Sequence, residues 1–274
     1  MDRVRLRVGC EFRFAADVPA PAVMLVRARD DLAVGVRRET WGSEPAGEMA
    51  DYRDLYGNPC RRMVLAAGKS VIRYDAEVDA PAAPDEFSPG AIQHAVEDLP
   101  PETLLYTLAS RYCLSDMLGD MALELFGATT PGWWRVQAIC DWVNANISFA
   151  YGSTNPGTTA LDVLNTRTGV CRDFAHVAIS LCRTFNIPSR YAFGYLPTID
   201  APPLNDPMDF AAWMEVYLGG RWWTFDPRNN TRRIGRVVIG RGRDATDVAM
   251  LTSYGAVLLE DMTVWADRVD DAAQ

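Results

Sequence analysis

A helix that is apolar on nearly every side has to lie inside a domain, and Phe174-Ala175-His176-Val177-Ala178-Ile179-Ser180-Leu181-Cys182 is such a run. It ends at Asn186-Ile187-Pro188, because the residue before a proline is pushed out of helical geometry. It is entered through Thr168-Gly169-Val170-Cys171-Arg172-Asp173, a glycine-broken loop. Cys171 therefore stands at the N-terminus of a buried central helix. Unpaired backbone N–H groups and the positive end of the helix dipole favour thiolate there, and the same N–H groups could hold the oxyanion of an acyl-transfer intermediate.

With 274 residues, 49% of them hydrophobic, the chain can bury one large core or two ordinary ones. A net charge of −9 argues against general affinity for nucleic acid or acidic membranes. The N-terminus leads into no signal-like apolar segment, and no stretch of about 18 apolar residues occurs, so a cytoplasmic, non-membrane protein is expected. The six cysteines (Cys10, Cys60, Cys113, Cys140, Cys171 and Cys182) show no CxxC and no zinc-like spacing. Neither a disulfide framework, a metal nor a cofactor is expected. The five other than Cys171 read as small buried hydrophobes.

Residues 4 to about 80 alternate as β structure, with Val4 to Phe14, Ala22 to Val26, Arg62 to Leu65 and Ser70 to Tyr74 as strands. A Pro-, Ala- and acid-rich segment, Asp79 to Glu86, reads as a linker. The expected division is an antiparallel β-sandwich-like domain over 1–82 and an α+β domain over 83–274. Pro100-Pro101, Ser115 and Thr130-Pro131 open three helices, the third carrying Trp134, Val136, Ile139, Val143 and Ile147 inward. Strands follow the central helix at Tyr191 to Leu196, Ala212 to Leu218 and Arg221 to Asp226, the last two flanking Gly219-Gly220, a two-residue hairpin signal.

That loop sets a register: Leu218 opposite Arg221, Tyr217 opposite Trp222, and onwards to Trp213 opposite Asp226. Position 211 then shares a face with Asp226, diagonal to it. A histidine held by Asp226 in a Cys-His-Asp triad belongs there, taking the thiol proton while the carboxylate fixes its tautomer. The residue present is Ala211.

The segments Gly169-Val170-Cys171-Arg172-Asp173-Phe174-Ala175-His176, Asn186 to Tyr191, Gly194-Tyr195-Leu196, Trp213 to Trp222 and Thr224 to Asn229 together resemble the transglutaminase-like cysteine protease superfamily. Bacterial members carry a β domain ahead of a papain-like core in which the cysteine helix packs on an antiparallel sheet. The resemblance implies Cys171 as nucleophile and Asp226 as triad acid, with the family's histidine position held by Ala211. It also implies a peptide or protein as substrate or ligand.

His176 follows Cys171 by five positions on the same helix, which turns it away from the thiol, so a packed structural histidine is expected. His94 could reach the cleft only through tertiary folding, and a surface or capping role is expected. Arg172 beside the thiol reads as an ion-pairing group, and Asp173 as a helix cap. Tyr195 and Trp213 could line an acyl groove or serve as core aromatics. The polar loop Gly152 to Thr159 could border the cleft and has no phosphate-loop spacing.

Three readings stay open. The chain is a Cys171-dependent amide or isopeptide hydrolase or acyl transferase, a pseudoenzyme whose cleft binds a peptide or partner, or a His-to-Ala variant of an active parent.

Overall fold

The alternation read along the first 80 residues does produce strands: β1 (Arg3–Ala16), β2 (Ala20–Met24), β3 (Gly35–Glu44), β4 (Met49–Arg53), β5 (Pro59–Leu65) and β6 (Gly68–Pro81). The structure, a computed structural model, describes residues 2–30, 34–202 and 207–269. In β1 the apolar positions Leu6, Val8, Cys10, Phe12 and Phe14 are buried while most residues between them stay partly or fully exposed, which is how a sheet covered on one face sorts its side chains.

The middle of the chain supplies α1 (Pro101–Leu104), α2 (Gly119–Phe126), α3 (Trp133–Asn146), the short strand β7 (Ser148–Phe149), α4 (Ala160–Thr166), the short strand β8 (Thr168–Gly169) and α5 (Cys171–Thr184). The Pro100-Pro101 signal yields only a single turn, and Ser115 opens a 3₁₀ turn ahead of α2. The third helix starts at Trp133. Trp133 faces the core beside Phe225, whereas Trp134, expected inside, is exposed. Then come β9 (Ser189–Tyr195), β10 (Ala211–Leu218), β11 (Arg221–Phe225) and β12 (Val237–Gly242), forming an antiparallel sheet in the order β11-β10-β9-β12. The central helix α5 packs on β9 and β10 and is backed by α3 and α4. The result is a mixed α and β chain in which the cysteine helix packs on an antiparallel sheet.

The hairpin register follows the reading from Gly219-Gly220: Leu218 pairs with Arg221, Tyr217 with Trp222, and the ladder continues to Met214 with Phe225. Both glycines have positive φ, 58° and 87°, as a two-residue turn matched to strand twist requires.

The last two strands, β13 (Leu251–Ser253) and β14 (Leu258–Arg268), modify the expected division at residue 82. They do not stay with residues 83–250. β14 pairs with β1 and β13 with β2, giving four-stranded sheets in the orders β14-β1-β6-β3 and β13-β2-β5-β4. The linker expected over Asp79 to Glu86 also changes. β6 runs through Pro81, and Asp85 binds Arg236 at 2.8 Å. The two parts share one continuous apolar core, and Tyr195 of β9 donates its hydroxyl to the Val26 carbonyl at 2.7 Å across the junction.

Candidate functional site

Val170 precedes α5 in extended conformation, φ −106° and ψ 177°. Asp173, three residues on, turns its carboxylate back to accept the Val170 N–H at 2.9 Å, and this closes the first turn of the helix. The same carboxylate is 1% exposed, accepts the Thr154 hydroxyl at 2.8 Å and pairs with Arg172 at 3.1 Å. Arg172 is further occupied by the Asn155 carbonyl, and its guanidinium lies over the Tyr112 ring. Both residues hold the loop against the helix start. Replacing Asp173 with Ala removes the cap and takes the acceptor from the Val170 N–H, the Thr154 hydroxyl and Arg172, so the urea midpoint should fall by the equivalent of roughly 1–3 kcal/mol at unchanged m-value.

Cys171 is half-buried, whereas the other five cysteines are buried. Its Sγ donates to the Phe210 carbonyl at 3.8 Å, a contact that fixes the sulfur against the start of β10. Burial pushes the thiol up to about 11; the Arg228 guanidinium and the Ala212 and Arg172 N–H groups oppose this, and the charge of Asp209 adds to it. Desolvation is the largest influence on this sulfur and acts against the thiolate expected from the helix start.

Asp226 directly follows β11 and is 6% exposed. Its carboxylate accepts the Asn229 N–H at 2.9 Å, the Asn229 side-chain amide at 2.8 Å and Arg236 at 2.8 Å. Burial would raise its pKa, but Arg236 and Asn229 hold it below the usual carboxylate range. Arg236 also lies over the Trp213 indole, 4.8 Å from the ring, and pairs with Asp85. Ala211 and Trp213 belong to a small apolar cluster with Ala192, Leu196 and Val238, apart from the one that contains α5.

A cavity of about 70 Å³ opens beside Ala211, lined among others by Asp209, Phe210, Arg228, Asn229 and Arg233. Cys171 is not on its wall and touches it through Phe210. Asp226 stands behind Asn229 and borders a second cavity with Asp85, Trp133 and Cys140. The four residues considered for the groove, Arg172, Asp173, Tyr195 and Trp213, do not line the cavity at Ala211. Tyr195 and Trp213 are fully buried, Tyr195 at the junction with the β sheets. The sequence reading passed over Asp209, Arg228, Asn229 and Arg236. Arg228 and Asn229 lie inside the motif after Asp226, and Asp209 two residues before Ala211, so proximity to those positions was the available signal.

Neither histidine supplies a base at this cavity. His176 is fully buried, sandwiched by Tyr112 and Tyr191, and its Nε2 accepts the Ala245 N–H at 3.1 Å. Burial drives its pKa down to about 3. His94 lies 6.0 Å from the ring of Tyr217. Tyr217 is six strand residues from Ala211, about 20 Å away. Among the described residues no group of three or more His, Cys, Asp or Glu is arranged to hold a metal ion, and no helix is long and apolar enough to cross a membrane.

A sequence profile for the transglutaminase-like superfamily matches residues 120–227, a span that contains Cys171, Ala211 and Asp226. An uncharacterised protein of Mycobacterium tuberculosis is 30% identical over 226 residues, 73% of this chain and 69% of that protein. The chain belongs to the transglutaminase-like superfamily. A second uncharacterised protein, from Mycobacterium leprae, is 37% identical over 119 residues, 42% of this chain and 42% of its own length, so the chain spans less than half of that relative. The crystal structure of a provisionally assigned cysteine protease from Cytophaga hutchinsonii superposes with a TM-score of 0.86 at 29% identity, covering 100% of this chain and 93% of that one. This structural match takes in the β sheets as well as the cysteine helix and its sheet, whereas the profile covers residues 120–227.

Proposed function

We propose that this chain is a transglutaminase-like cysteine hydrolase or acyl transferase of peptide or protein amides, with Cys171 as nucleophile, Asp226 as the acid of the triad, and turnover slowed by Ala211 in place of the base. One observation carries the reading. The Cys171 sulfur is lodged at a helix start against the Phe210 carbonyl, one residue from Ala211, and is held there without an imidazole beside it. N–H groups at such a helix start are suited to an acyl-enzyme oxyanion. A cytoplasmic setting belongs to the same reading, since all six cysteines are free.

A second reading, a peptide-binding pseudoenzyme, is favoured by a different observation: the thiol sits near 11 with no imidazole facing it. Labelling with iodoacetamide and with a peptidyl electrophile, followed by site mapping, separates the two. The enzyme reading expects Cys171 to react faster than the five buried cysteines, with an inflection far above the ordinary thiol value, and expects the peptidyl reagent to outpace iodoacetamide at this site. Labelling of Cys171 no faster than that of Cys10 or Cys60 would leave the pseudoenzyme.

A further inference from the structure

Half of the large hydrophobic side chains that stand exposed among the described residues lie between Phe87 and Leu125, within less than a sixth of the chain. They include Ile92, Leu104, Leu105, Leu108, Met117 and Leu123. Loose packing does not account for them, because the same segment turns Leu99, Tyr106, Cys113, Leu118 and Ala122 into the core. Between the same limits stand six acids, Glu97, Asp98, Glu102, Asp116, Asp120 and Glu124, and one base, Arg111, a balance that supplies more than half of the chain's net charge of −9. All six acids are exposed, and among the described residues none of them has an ion-pair partner. Apolar surface rimmed by charge of one sign marks a place where a partner of the opposite sign docks.

The end of α5 gathers this segment at one place. Three consecutive residues bind it at three points: the Phe185 carbonyl accepts the Gln93 side-chain amide at 2.8 Å, Arg183 donates to the Leu108 carbonyl at 3.0 Å, and the Thr184 hydroxyl donates to the Ser115 carbonyl at 3.1 Å. Ile92, Leu104, Leu105 and Met117 adjoin these points in the chain, so with Leu108 they surround one pole of the molecule. The helix α2 follows directly and packs on α5 with Ala122 and Phe126 inward. Asp120, Leu123 and Glu124, three and four residues apart, share its outer face. With α5 14 residues long, this pole lies about 20 Å from Cys171.

We propose that residues 87–125 form a docking surface for a partner protein that presents a basic, amphipathic segment. Leu104, Leu108, Met117 and Leu123 take its apolar side, and the surrounding carboxylates take its lysines or arginines. The charge decides the occupant. Nucleic acid and an anionic membrane are repelled by this face, and a second copy of the chain, at −9, meets it with like charge. The surface does not depend on the reading of Cys171.

The test is fluorescence anisotropy of the full chain with a labelled peptide of leucine and lysine at helical spacing, set against the same peptide with glutamate for lysine. The lysine peptide should bind and the glutamate peptide should not. Leu108→Gln and Met117→Gln, which leave the charge unchanged, should each weaken binding by about tenfold, as truncation of a central apolar contact does. Glu102→Lys with Asp120→Lys should weaken it by at least as much. Glu48→Lys with Asp267→Lys makes the same change of net charge at exposed acids on the β sheets, and should leave binding nearly unaltered. Equal loss from both charge-reversed pairs would reduce the binding to general attraction and overturn the proposal. So would glutamine variants that bind as tightly as the unsubstituted chain, or a glutamate peptide that binds as well as the lysine one. A dimer in sedimentation velocity that Leu108→Gln disperses would show the occupant to be a second copy, against the proposal. All the substituted residues are exposed and far from the thiol, so circular dichroism and the rate of Cys171 alkylation should match the unsubstituted chain and show each variant to be folded.

Discussion

Ala211→His is expected to raise Cys171-dependent hydrolysis of amide and ester probes by about a hundredfold or more, the usual contribution of a positioned general base. The new side chain enters the cavity lined by Phe210, whose carbonyl receives the Cys171 thiol, with Asn229 and the buried, negatively charged Asp226 behind it. An imidazolium at this position also opposes the desolvation that holds the thiol near 11, so the alkylation inflection of Cys171 should move down in the same variant. Active-site titration of Ala211→His, with Ala211→His/Cys171→Ala as control, is the measurement. A folded variant with no gain over peptides, esters and isopeptides, and with an unmoved inflection, would mean the cleft has been rebuilt for binding.

The second large effect concerns stability. Glu215 of β10 is 5% exposed and binds two guanidinium groups, Arg190 at 2.5 Å and Arg241 at 2.8 Å, with Arg190 in turn lying over Trp222 at 4.0 Å. Burial alone would raise its carboxyl, but the two arginines hold it down to about 2. Glu215→Gln leaves two half-buried cations without their anion and should cost roughly 3 kcal/mol at pH 7. The pH dependence has a definite sign. A carboxyl with a folded value of about 2 against an ordinary 4.5 contributes stability that is complete above 4.5 and drains away as pH falls towards 2. The gap between the unsubstituted chain and Glu215→Gln, read from urea unfolding, should therefore be widest near neutrality and close across that interval. A gap that stays constant from pH 7 to pH 3 would show that the cluster does not act through the charge of Glu215.

What the sequence made legible was whatever follows from short-range rules. The apolar run from Phe174 to Cys182, the two glycines of the hairpin and the register they impose depend on residues close in the chain, and the structure has them where those rules put them. Val136, Ile139 and Val143 are buried as read, and at about 100° per residue Trp133 shares their face while Trp134, about 160° from Val136, points away, a phase that the spacing of the run already contains. Asp85 looked like linker because its partners, Arg233 and Arg236, lie about 150 residues away. The same is true of Arg183, whose buried guanidinium binds the carbonyls of Leu108, Ser189 and Arg243 from three separate segments. The thiol was read from its helix end alone. Its desolvation comes from chain packed around it after folding, which no local pattern records.

The return of β13 and β14 to the opening sheets also bears on how the chain is made. β1 takes β14 as a neighbour over ten residue pairs, and β2 takes β13. During synthesis, β1 and β2 each keep one edge unpaired until β14 and β13 emerge far later in the chain, and unpaired edges are sites where other chains can add. The cysteine helix and its sheet are synthesised in that interval, held between a β layer already begun and the strands that will finish it. The early and late strands are fastened together around the cysteine helix, so cutting the chain at residue 82 would yield two incomplete pieces.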